Sequence, residues 1–149
     1  MSLKEQIDAD IKKAMLSKNK EELRALRAIK AMILLSETEK GKSGDLSENI
    51  EMNLLTKAVK QRKDSIQIFS DQGRDDLADI EKEELEVIQR YLPEQLSKQE
   101  LENIIKQIIS ETGAQGMKDM GKVMGKATNK LAGKADGKQI AELTRKLLN

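Results

Sequence analysis

Along most of this chain, apolar residues return every three or four positions, the spacing of one face of an α-helix. Leu3, Ile7, Ile11, Ala14 and Met15 form the first stripe, and Ser2-Leu3-Lys4-Glu5 ahead of it reads as a capping box. The first helix is expected to end near Ser17 to Asn19, where Asn19, with Glu22 three residues on, predicts the cap of a second over about 20–40. That helix carries Leu23, Leu26, Ala28, Ile29, Ile33 and Leu34 on a wide face, with Arg24, Arg27 and Lys30 on a neighbouring strip. A third helix is predicted from about Ser47 to Ser70, with Ile50, Leu54, Leu55, Ala58, Arg62, Ile66 and Phe69 near one face. A fourth, over about 75–92, shows Leu77, Ile80, Leu85, Ile88 and Tyr91 or Leu92. Asp71-Gln72-Gly73-Arg74 is a tight turn between these two, so they should form an antiparallel hairpin. Pairing about that turn sets Arg62 opposite Glu84 and Ser65 opposite Glu81.

The helical pattern breaks at Tyr91-Leu92-Pro93-Glu94-Gln95-Leu96-Ser97. Pro93 is the only proline; it cannot donate a backbone hydrogen bond, and it pushes Leu92 out of the α region. Ser97 and Glu100 form a second capping box, with Leu96 and Leu101 at the positions of a hydrophobic staple. A fifth helix follows with Leu101, Ile104, Ile105, Ile108 and Ile109, broken by Thr112-Gly113-Ala114-Gln115-Gly116. A sixth, from about residue 119, should bury Met120, Val123, Met124, Ala127 and Leu131, with Gly133 placed to end it. Asp136 is the expected cap of a seventh, with Ile140, Leu143, Leu147 and Leu148 as its apolar positions. The predicted fold is all-α: helical hairpins of about four helices over 1–92, then a small three-helix bundle over 93–149.

Composition narrows the chemistry. The chain has no Cys and no His, which removes thiolate nucleophiles, disulfides, thiolate or imidazole metal sites and the usual proton shuttle at neutral pH. No catalytic, cofactor-binding or metal-binding residue is predicted. The longest apolar run, Ala31-Met32-Ile33-Leu34-Leu35, is far short of the ~20 residues that span a bilayer. The first five residues lack signal-peptide character, so the expected location is the cytoplasm. The net charge of +1 gives no global reason for membrane or nucleic-acid binding, and no membrane partner is expected. Gly41-Lys42-Ser43-Gly44-Asp45 looks superficially like a phosphate-binding loop, but the Gly-x4-Gly-Lys-Ser/Thr spacing and a preceding strand are missing; it reads as a plain loop.

The charge is uneven along the chain. Residues 1–92 hold 17 basic and 19 acidic side chains, and residues 93–149 hold 10 and 7. In the second part Lys118, Lys122, Lys126, Lys130, Lys134 and Lys138 recur every fourth residue. Like charges at that spacing repel on a helix, so the series does not serve helix stability. It is either a docking strip for a phosphate backbone, carried by Lys118, Lys122, Lys126 and Lys130, or a solvated face that keeps a small domain soluble. Gly121 and Gly125, one turn apart in the same helix, suggest a surface needing close approach, by a neighbouring helix more than by a nucleic-acid backbone. Glu81 and Glu84 beside Arg62 could be an acidic site, but a charged network tying the third helix to the fourth is the favoured reading.

Arg62-Lys63-Asp64-Ser65-Ile66, Gly73-Arg74, Glu81-x-x-Glu84-Leu85, Tyr91-Leu92-Pro93-x-Gln95-Leu96, Met120-Gly121-Lys122-Val123-Met124-Gly125 and Ala135-Asp136-Gly137 occur in that order. As a set they resemble the YqeY-like family of bacterial proteins, over nearly the whole chain. The C-terminal part of such proteins is similar to the tail domain found on one component of the aminoacyl-tRNA amidotransferase, and that tail contacts tRNA. The resemblance implies a tRNA-linked role, with tRNA as partner and a tRNA-modifying or aminoacylation enzyme as a second one. It does not bring catalysis, because the amidase and kinase parts of that enzyme lie in its other domains and components. A carbon–nitrogen ligase label with glutamine as amido donor would rest on the shared tail alone. Two hypotheses therefore stand: an accessory tRNA-binding protein, and a helical protein–protein adaptor without nucleic-acid contact.

Overall fold

The computed structural model describes residues 1–39 and 46–149. The described residues form α-helices joined by turns, with no strand among them. The loop read at 41–45 lies outside the described residues.

The chain divides into two compact units, Met1–Leu92 and Pro93–Asn149. In the first, α1 (Leu3–Leu16) starts where its local chemistry dictates. The Ser2 hydroxyl accepts from the Glu5 N–H at 3.2 Å, and the Glu5 carboxylate accepts from the Ser2 N–H at 2.9 Å. At its other end the Asn19 N–H reaches the Ala14 carbonyl at 3.0 Å and the Lys18 N–H reaches Met15 at 3.2 Å, closing the helix in a Schellman turn. α2 (Lys20–Glu39) is capped by Asn19, which accepts from the Glu22 N–H. α3 (Glu48–Asp71) and α4 (Asp75–Gln89) form the hairpin, with Gly73 at φ +71° in the turn. α2 lies against α1, α3 and α4. Ile7, Leu26, Ile29, Ile33, Leu55, Ala58, Val87 and Ile88 form the shared core. Each fully buried Leu or Ile contributes about 1.5–3 kcal/mol relative to exposure.

Three details differ from the sequence reading. α4 stops at Gln89, before the expected 92, because Arg90, Tyr91 and Leu92 turn back with tighter bonds to the carbonyls three residues earlier. That turn brings the chain to Pro93 without forcing Leu92 to stay helical. Ala25 of α2 is buried while Leu34 and Leu35 are exposed. On α4 the buried set is Ala78, Glu84, Val87 and Ile88, while Ile80 is exposed.

The second unit contains α5 (Lys98–Thr112), a 3-10 turn at Met117–Asp119, α6 (Met120–Lys130) and α7 (Gly137–Leu148). The Ser97–Glu100 capping box opens α5, and Gly113 at φ +68° closes it. Leu101, Ile105, Ile108, Val123, Ala127, Leu131, Ile140 and Leu143 fill the space between the three helices. The segment after Pro93 is fastened to this unit, since Gln95 Nε2 donates to the Gly133 carbonyl at 2.6 Å and the Leu96 N–H donates to Lys134 at 3.1 Å.

Candidate nucleic-acid interface

Two clusters hold the residues singled out by the sequence. The first is the charged network of the N-terminal unit. Across the α3–α4 hairpin, Arg62 Nε lies 2.9 Å from Glu84 Oε2 and 3.5 Å from Glu81 Oε2. Its N–H points squarely at neither oxygen, so the contact is an ion pair rather than an aligned hydrogen bond. Arg24 of α2, which sequence reasoning left on an outer strip, donates from Nε to the other oxygen of Glu84 at 3.2 Å and from Nη2 to Glu83 at 3.3 Å. Glu84 is only 8% exposed and is neutralised by a guanidinium on either side. Glu84 of α4 therefore fastens three helices, meeting α3 through Arg62 and α2 through Arg24. Among the described residues no group of three or more acids is placed to hold a metal ion.

Other long-range ties were also beyond the sequence reading. The buried Glu51 carboxylate accepts from the Leu3 N–H at 2.8 Å, using one of the unpaired donors at the start of α1. Tyr91 donates its hydroxyl proton to Asp10, and Arg90 pairs with Glu22 at 2.9 Å, so the end of α4 is fixed to α1 and α2. Burial and that hydrogen bond push the Tyr91 hydroxyl well above its ordinary pKa. Their only sequence signal is a polar residue within an apolar stripe.

The second cluster is the basic surface of the C-terminal unit. Val123 and Ala127 of α6 are fully buried, while Lys122, Lys126 and Lys130 on the same helix are exposed. Lys118 is exposed as well, but it sits in the 3-10 turn before α6. Lys134 falls in the turn after α6 and Lys138 in α7. The six-lysine series is therefore divided among four local structures, and a single-helix strip exists only from Lys122 to Lys130. None of these lysines has an ion-pair partner among the described residues. Gly121 and Gly125 stand beside them, and a Cβ added at either would meet nothing within 4 Å. Among the described residues, the neighbouring helix expected against these glycines does not come against them; they leave bare backbone on the outer side of α6.

The fold and the two clusters define a class: an all-α chain of two units, with a carboxylate–guanidinium fastening in one and an exposed basic helix in the other. The family described as Yqey-like protein matches residues 4–148, and the chain belongs to the YqeY-like family. It is similar to proteins named "Altered inheritance of mitochondria protein 41, mitochondrial". The one from Clavispora lusitaniae is 40% identical over 86 residues, which cover 58% of this chain and 49% of that protein. The one from Candida glabrata is 39% identical over 85 residues, covering 57% and 47%. The one from Pyrenophora tritici-repentis is 33% identical over 120 residues, covering 78% and 64%. The matches thus span about half to two-thirds of the length of these relatives. Their names overturn the expectation of a cytoplasmic protein, since all three are named as mitochondrial. That expectation rested on the first residues of the chain, which do not determine the compartment.

Proposed function

We propose that the chain is a non-catalytic accessory protein that contacts tRNA through the basic face of its C-terminal unit. The observation that supports this reading is the set of exposed lysines Lys118, Lys122, Lys126 and Lys130, unpaired among the described residues and next to bare backbone at Gly121 and Gly125. A phosphate backbone needs a run of free cations and close access, and it makes little demand on side-chain shape. The C-terminal unit contains no aromatic residue on which bases could stack, so a backbone-reading mode fits better than single-strand readout. The resemblance of this part to an amidotransferase tail points to the same ligand. A tRNA-modifying or aminoacylation enzyme is the proposed protein partner.

The test is an equilibrium titration of mixed tRNA by the pure protein at several salt concentrations. Removing one phosphate contact lowers the slope of log affinity against log salt by roughly 0.7 to 0.9. The variant Lys122→Gln/Lys126→Gln/Lys130→Gln should bind more weakly, with the slope flatter by about two to three units. A parent protein that fails to bind tRNA, or a triple variant that binds as the parent does, removes this reading. A protein–protein adaptor would then lead, a role favoured by the exposed Leu35 and Ile68 of the N-terminal unit.

A further inference from the structure

The turn between α1 and α2 carries a second basic surface of different chemistry. From Ile11 to Lys20 the chain has Lys12, Lys13, Lys18 and Lys20 and no acidic residue, and all four lysines are exposed. None is ion-paired among the described residues. The nearest acids in sequence are Asp10, bound to Tyr91, Glu22, bound to Arg90 and Asn19, and the exposed Glu21. The near-zero net charge that argued against a membrane partner conceals this local concentration.

At the centre of the surface are two apolar side chains. Leu16 is 86% exposed and Met15 55% exposed. On a helix, residues three and four positions apart share a face, so Lys13 and Lys12 flank Leu16. That face points away from the buried Ile7 and Ala14.

The backbone supplies an independent sign. Lys18 closes the Schellman turn at φ +56° and is the only non-glycine residue with a positive φ among the described residues. The other three such positions are all glycine: Gly73, Gly113 and Gly133. The left-handed conformation is unfavourable for a side chain with a Cβ and free for glycine. A lysine thus stands where stability alone would favour glycine, and such a strained position points to use of its side chain.

We propose that the α1–α2 turn docks on an anionic lipid surface, with Leu16 and Met15 entering the interface and Lys12, Lys13, Lys18 and Lys20 meeting the headgroups. Cations ringing an exposed apolar tip are what such a surface requires. A nucleic-acid backbone would use the lysines but leave Leu16 idle. The contact is peripheral and needs no spanning helix; among the described residues no helix is long and apolar enough to cross a membrane.

Co-sedimentation of the whole chain with vesicles tests this. Vesicles of equimolar phosphatidylserine and phosphatidylcholine should carry the protein down, and pure phosphatidylcholine vesicles should not. Lys18→Gly should raise the thermal midpoint while weakening the partition about fivefold, the usual effect of one lysine near such a surface. Leu16→Ser, at a solvent-exposed position, should weaken the partition without changing the midpoint. The α6 triple glutamine variant should sediment like the parent, which separates this surface from the proposed tRNA face. The proposal is overturned if anionic vesicles do not bind the parent, or if Leu16→Ser and Lys18→Gly bind as it does. It is overturned equally if these variants lose affinity for tRNA and vesicles capture nothing, since the surface would then belong to RNA.

Discussion

Arg62 of α3 and Glu84 of α4 meet across the hairpin at 2.9 Å, with Glu84 almost wholly removed from solvent. A buried charge stripped of its partner is more costly than an exposed pair is worth. Glu84→Ala takes the shared carboxylate from both guanidiniums, leaving Arg62 only Glu81 and Arg24 only Glu83, and should cost about 2–4 kcal/mol, towards the range for broken buried pairs. Arg62→Ala should cost less, because Glu84 keeps Arg24. Arg24, nearly half exposed, should contribute under about 1 kcal/mol. Urea unfolding of the three single variants checks the order; an Arg24 effect exceeding that of Glu84 would contradict this account.

The part of this network legible in sequence was the part set by one short turn. Gly73 fixes the hairpin register, and the register places Arg62 opposite Glu84. Both capping boxes were legible for the same reason: Ser2 with Glu5, and Ser97 with Glu100, lie within four residues of each other. Arg24 was not, because its contact with Glu84 joins helices 60 residues apart and depends on how α2 crosses α4. Ile88 of the expected α4 stripe is buried, but Ala78, Glu84 and Val87 are buried with it where Leu77, Ile80 and Leu85 were expected. The lysine series looked continuous because its period is regular. The 3-10 turn and the break after Lys130 divide it, and those depend on packing in the bundle.

Tyr91 gives the fold an alkaline limit. Burial first, and then the hydrogen bond to Asp10, favour the protonated hydroxyl in the folded state. The unfolded chain releases this proton near the ordinary value of about 10, while the folded chain holds it to higher pH. The resulting stability is fully present below about pH 10 and declines as the pH rises above it. Denaturant midpoints across pH 8 to 11 should therefore fall more steeply for the parent than for Tyr91→Phe. Parallel curves would show that the hydroxyl has no differential role.

Limited proteolysis should cut at the joint and leave a stable C-terminal fragment beginning between residues 93 and 97. The 93–149 unit has its own core, and the segment after Pro93 is tied to it through Gln95 and Leu96. The expressed fragment should give a cooperative thermal transition with a helical circular dichroism spectrum. A fragment that is unfolded alone would mean the bundle depends on residues 1–92.

Gly125 allows stability to be separated from binding. It lies within α6, exposed, and a Cβ there would meet nothing within 4 Å. Gly125→Ala should accordingly stabilise the protein by up to about 1 kcal/mol, the propensity difference in an exposed helix interior. Gly121, in the first turn of α6, should gain less from the same change. If the bare backbone serves the proposed tRNA contact, the added methyl stands between the lysines and the phosphates, and affinity falls although the protein is more stable. Thermal melts and tRNA titrations on one preparation of Gly125→Ala measure both effects. A gain in stability with affinity unchanged would leave the lysines as the whole contact and the glycine without a part in binding.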